Sequence, residues 1–174
     1  AAGVGMGAAA LYVLAYTPMK RRTTLCTLAG AVCGAAPLPL GWAAARDCLD
    51  YGAWLLAAVL FAWQVPHALS VAWLRREDVE RAGFRILAFR GDPGRAASQM
   101  CLLYALALAP LALQSAAAGL TDWRGAAAAA LAGAVLAFQC LRFCLRRDDA
   151  RARAVFRCSL VCLPIMLVAM MAMR

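Results

Sequence analysis

His67 is the only histidine in the chain, and it closes the run Trp63-Gln64-Val65-Pro66-His67 near the end of an apolar stretch. An imidazole in such surroundings is either a hydrogen-bonding link between helices or part of a site for a substrate. A second candidate is Tyr16-Thr17-Pro18-Met19-Lys20-Arg21-Arg22-Thr23. Its basic residues either fix orientation at a membrane surface or bind an anion, since lysine and arginine together suit phosphate. The third is Arg76-Glu77-Asp78-Val79-Glu80-Arg81-Ala82-Gly83, which reads as a solvated segment of mixed charge or as the source of a metal-binding carboxylate. If one helix ran from His67 through Asp78, eleven residues would place the two about 20° from eclipsed. Trp63, His67, Ser70, Leu74 and Asp78 would then share a face. A carboxylate opposite a basic pair at a lipid boundary suits Mg²⁺ and a diphosphate.

The elements that must hold these residues follow from composition. Of 174 residues, 65% are hydrophobic and 16% charged, with a mean hydropathy of +0.71. A soluble domain has roughly 45–50% apolar and about 25% charged residues. A globule of this length has too little interior for so many apolar side chains, so most of them face lipid. Six apolar segments can be read, at 1–16, 25–45, 52–73, 98–120, 125–145 and 155–173. They do not alternate as barrel strands do, so the expected fold class is all-α, a polytopic membrane helix bundle. The first segment is short, and the chain opens on Ala1 inside it, as the middle of a longer protein would.

The net charge of +9 comes from 18 basic and 9 acidic residues. Basic residues lie in the breaks between segments, and alternate breaks carry 15 of the 18. That alternation supports six helices and puts the basic breaks on one side, the cytoplasm or the mitochondrial matrix. It argues against nucleic acid binding. Pro37 and Pro39 interrupt the second segment and predict a kink or a cavity wall. Four of the eight cysteines form the pairs Cys140/Cys144 and Cys158/Cys162, each on one helical face. Small packing residues are the favoured reading over metal ligands, which want tight loops and histidine partners.

Taken in order, these motifs resemble the haem O synthase family, the protohaem IX farnesyltransferases among the UbiA-type intramembrane prenyltransferases. The family pattern Y-T-x-x-K-R-x-T fits Tyr16, Thr17, Lys20, Arg21 and Thr23. Its Gly-Ala-x-Pro stretch ending Gly-Trp fits Gly34, Ala35, Pro37, Gly41 and Trp42. Trp-x-x-Pro-His fits Trp63, Pro66 and His67, and D-x-x-x-A-G fits Asp78, Ala82 and Gly83. Phe156, Ser159, Leu160 and Pro164 match its last helix. The resemblance implies six helices of a nine-helix fold, one transmembrane prenyltransferase domain over 1–174. It implies farnesyl transfer from farnesyl diphosphate to a vinyl group of haem B, giving haem O for cytochrome oxidase. Asp78 would be a Mg²⁺ ligand, and Lys20 and Arg21 would bind the diphosphate. Tyr16, Thr17, Thr23, Trp63, His67 and Gly83 would contact substrate, with His67 on the haem side. The expected setting is the mitochondrial inner membrane or the bacterial plasma membrane.

The sequence also departs from the family. It contains no asparagine, so the first acidic motif, N-x-x-x-D-x-x-x-D, is absent. The family's Asn after the basic motif is Cys26, its Pro-Pro pair is Pro37-Leu38-Pro39, and its Gly-Val-Pro-Met is Gly83-Phe84-Arg85-Ile86. The expectation is a chain without its N-terminal helices, completed in cis or by another chain. The alternatives are a non-catalytic or split-chain membrane subunit of this fold in a respiratory assembly, or another UbiA-type prenyltransferase.

Overall fold

The computed structural model describes residues 2–19, 26–82 and 94–172. The described residues form helices joined by short turns, with no strand. Helix α1 (Ala2–Leu11) runs through a π-helical turn (Tyr12–Tyr16) into the single turn α2 (Thr17–Met19). The predicted second segment is two helices, α3 (Cys26–Ala35) and α4 (Pro37–Arg46). The break falls where the prolines predict it, because neither Pro37 nor Pro39 can donate to a carbonyl one turn back. Then come α5 (Tyr51–Leu74), the short α6 (Arg76–Arg81), α7 (Arg95–Ala117), α8 (Trp123–Leu145) and α9 (Asp149–Ala172).

Four of these helices, α5, α7, α8 and α9, are long and apolar enough to cross a membrane. They close a ring in which α5 packs on α7, α7 on α8, α8 on α9 and α9 back on α5. Val59, Leu69, Leu108, Leu136, Phe143 and Met166 fill its interior with no exposed surface to speak of. Outward-facing Leu103, Leu106, Leu131, Phe138, Val161 and Val168 stay exposed. Apolar residues on both faces are the mark of a helix between a packed core and lipid. The chain is an integral membrane protein. Helices α3 and α4 lean on α5 from outside the ring, and α1 packs on both.

Small residues let the ring close. A Cβ on Gly133 of α8 would stand 2.9 Å from the Leu108 Cβ of α7, so this crossing depends on the missing side chain. Gly94, at φ +79°, abuts the Trp73 ring. The buried cysteines pack likewise: the Cys162 thiol donates to the Ala132 carbonyl at 3.4 Å, joining α9 to α8.

Caps set the helix boundaries. The Asp50 side chain accepts from Ala53 N–H, and Asp122 from Gly125 N–H, each an N-cap. Helix α9 starts six residues before its apolar segment, because Asp148 caps it at the Arg151 N–H and arginines occupy its first turns. Long arginine side chains can carry their charge to the membrane surface while the backbone stays helical.

Candidate functional site

Two polar ties bind α5 to α9, and both involve residues near the basic end of α5. In the first, Trp63 and His67 lie one turn apart on α5 with their rings stacked, centroids 4.9 Å apart. Trp63 Nε1 donates to the Ser159 carbonyl of α9 at 2.7 Å. His67 Nδ1 lies 2.9 Å from Ser159 Oγ. The Phe156 ring covers the imidazole from α9 at 5.3 Å. Pro66, immediately before His67, has no N–H and so leaves the Ala62 carbonyl without its helical donor. Serine in an apolar helix usually satisfies its hydroxyl on the preceding turn. Ser159 does this, donating to the Phe156 carbonyl at 2.7 Å.

The second tie is at the end of α5. Trp73 Nε1 donates to Asp149 Oδ1 at 3.0 Å, and Arg76 Nη1 donates to the same oxygen at 2.7 Å. Arg76 also reaches back to the Trp73 carbonyl at 3.2 Å, closing the C-terminus of α5 with a cation. That cap ends the helix. A face shared by His67 and Asp78 requires one helix running through both, and the structure does not provide it: Arg75, at φ −112° and ψ 26°, separates α5 from α6. Asp78 therefore does not continue the Trp63–His67 face.

Asp149 precedes the apolar part of α9. The hydrogen bond from Arg76 holds its carboxyl below the ordinary carboxylate range, helped by Trp73. A carboxyl with a lowered folded-state pKa contributes stability above its unfolded pKa and loses it as pH falls through the folded one. Asp149→Ala is therefore expected to cost about 1 kcal/mol at neutral pH, a partly exposed pair being screened by solvent. A fall in Tm of roughly 2–4 °C would report it. The difference from wild type should shrink in acid, below the ordinary carboxylate range. Equal Tm values at neutral pH would show that the tie contributes nothing.

Asp78 lies on α6 and is two-thirds exposed, 3.0 Å from the Arg81 guanidinium. With Glu77 and Asp149 it lines a shallow cavity of about 180 Å³ at the α5–α6 junction. Among the described residues, no three metal-ligating side chains converge. Thr17 opens α2, and its hydroxyl donates to the Tyr12 carbonyl at 3.0 Å. Tyr16 closes the π-helical turn. Lys20, Arg21, Thr23 and Gly83 lie outside the described residues. The structure thus brings Trp63 and His67 together with Ser159 and Phe156, and separately joins Trp73 to Asp149; these four lie outside the predicted site set. On α9 the sequence signals were a lone serine within an apolar segment and the match of Phe156 and Ser159 to the family's last helix, neither of which assigned a site role.

An apolar cavity of about 430 Å³ lies between α1, α3, α4 and the first half of α5. Leu11, Val32, Pro39, Trp54, Ala58 and Phe61 line it, drawn from α1, α3, α4 and α5. Phe61 is six residues before His67, roughly 9 Å along the helix axis. Gln64 lies between them and donates to the Ala31 carbonyl of α3 at 2.7 Å, tying the cavity wall to α5.

Residues 1–161 match the profile of the UbiA prenyltransferase family. The chain is 38% identical over 164 residues to a protoheme IX farnesyltransferase of Solibacter usitatus, covering 94% of this chain and 56% of that one. It is 35% identical to the mitochondrial protoheme IX farnesyltransferase of Homo sapiens, covering 94% and 37%. A protoheme IX farnesyltransferase of Rhodopirellula baltica is 37% identical, covering 96% and 61%. The chain thus spans between about a third and three-fifths of the length of these relatives. No solved structure matches it significantly.

Proposed function

The chain belongs to the UbiA prenyltransferase family, and on that premise we propose that it is part of a protohaem IX farnesyltransferase, transferring farnesyl from farnesyl diphosphate to a vinyl group of haem B to give haem O. The observation that carries the acceptor assignment is the aromatic–imidazole group of Trp63, His67 and Phe156. Flat aromatic walls with one nitrogen ligand suit a metalloporphyrin, which offers a wide π face and an iron. The apolar cavity between α1, α3, α4 and α5 suits an isoprenoid chain, whose burial needs no polar partner. Lys20 and Arg21 follow α2 in sequence and would bind the diphosphate.

Mg²⁺ is usually held by one or two carboxylates together with substrate phosphates and waters. Asp78 fits that pattern as an exposed oxygen donor, and it would supply the second-motif ligand. Bound there, the ion would neutralise charge on the diphosphate. The chain's own contribution is to place the leaving group against cations and the acceptor carbon against the isoprenoid. The diphosphate departs with its bonding electron pair, the terminal vinyl carbon bonds to the allylic cation, and the cation left on the inner vinyl carbon is captured by water, which gives up a proton. Stabilising charge at the leaving group is the larger catalytic factor. The first acidic motif and the helices that carry it would come from elsewhere in the protein or from a partner chain. Basic breaks would face the cytoplasm or matrix.

Purified full-length protein in lipid nanodiscs, given radiolabelled farnesyl diphosphate and equal amounts of haem B and a hydroxybenzoate acceptor, tests the assignment. Label is expected in haem. Label in the aromatic acid instead would make the protein a prenyltransferase of the quinone-precursor type.

A further inference from the structure

The Ser159 hydroxyl has one proton and two neighbours within hydrogen-bond distance. The Phe156 carbonyl, 2.7 Å away, can only accept. A lone pair aimed at that carbonyl at such a distance would be repulsive, so the serine proton lies between them. Ser159 Oγ must then accept at its other contact, 2.9 Å from His67 Nδ1. His67 Nδ1 therefore carries the ring proton, and Nε2 keeps its lone pair. Among the described residues, nothing is hydrogen-bonded to Nε2, and the residue is half-buried. Trp63 stacks on the ring and Phe156 leans on it, so its plane is held as well as its tautomer. Trp63 is itself tied to the Ser159 carbonyl, so one residue of α9 fixes both aromatic partners from α5.

We infer that Ser159 is a positioning residue that sets His67 as the Nδ1-protonated tautomer, and that the free Nε2 is the ligand to the iron of the haem substrate. A neutral imidazole whose second nitrogen donates a hydrogen bond is the usual form of a metal-binding histidine, because that bond orients the ring and raises the basicity of the ligating nitrogen. The inference rests on the haem acceptor reading given above, and its test separates the two.

Ferric haem B titrated into the full-length gene product in nanodiscs gives an affinity from the Soret band. Resonance Raman spectra of the ferrous complex give the iron–imidazole stretch. Ser159→Ala is expected to weaken haem binding about 10–100-fold and to move that stretch to lower frequency. Ser159→Thr keeps a hydroxyl and should restore both, which a purely structural role for Ser159 would not require. Ser159→Cys, a weaker acceptor of similar size, should fall between and serves where Ser159→Ala does not accumulate. His67→Ala should abolish the stretch. Unchanged affinity and frequency in both Ser159→Ala and Ser159→Cys would overturn the positioning role. An iron–imidazole band that survives in His67→Ala would overturn the ligand assignment and leave the acceptor reading standing. A wild-type protein that takes up no haem would overturn both.

Discussion

Asp78→Asn in the full-length enzyme is expected to lower haem O formation by about 10²–10³-fold, the scale on which a single charge-stabilising group acts in transfer reactions. The substitution keeps the size of the side chain and removes its charge, so it separates metal binding from packing. Loss of the fold could not account for such an effect. Asp78 is two-thirds exposed, and its ionic contact is Arg81 on the same short helix. Exposed pairs of this kind contribute about 0–1 kcal/mol. Glu77 offers an internal control. It lies on α6 beside Asp78, is 81% exposed and is 4.0 Å from the same Arg81. Glu77→Gln should leave turnover near wild type. Haem O measured per unit of membrane protein reads both variants, and undiminished turnover in Asp78→Asn would remove Asp78 from the site.

His67→Ala is expected to weaken haem binding by about 100-fold, the upper end of what is lost when a ligating histidine loses even its supporting hydrogen bond. Affinity for farnesyl diphosphate should stay near wild type, because the basic cluster of Lys20 and Arg21 would hold the diphosphate. The variant removes the ring that Trp63 and Phe156 enclose and leaves the Ser159 hydroxyl without its donor. Haem affinity and diphosphate affinity, measured separately on the same preparation, distinguish an acceptor-site residue from a general packing residue. Equal losses for both substrates would reduce His67 to a helix–helix link.

The bundle was legible because lipid imposes a length. Segments predicted at 52–73 and 125–145 match α5 (Tyr51–Leu74) and α8 (Trp123–Leu145) within two residues. The second segment was legible as to its kink but not its division, because hydropathy runs smoothly across Pro37 while the backbone cannot. Two features were not legible, each for a physical reason. The shared face from His67 to Asp78 assumed an unbroken helix, and Arg76 ends α5 by binding both the Trp73 carbonyl and Asp149. The Trp73 carbonyl is only three residues from Arg76, but the bond to Asp149 has no local signal. Asp149 is 73 residues from Arg76 in sequence, and Ser159 is 92 from His67. Only the packing of α9 against α5 brings these pairs together. His67, Trp63 and Asp78 stood out by residue type in an apolar chain. Ser159 could acquire its role only once the ring of helices had closed.

The most direct measurement is the haem content of cells that lack haem O synthase and express the full-length gene. Haem extracted from their membranes and resolved by liquid chromatography and mass spectrometry should contain haem O beside haem B. Haem B alone, with the protein present in the membrane at normal abundance, would contradict the assignment of this chain to haem farnesylation.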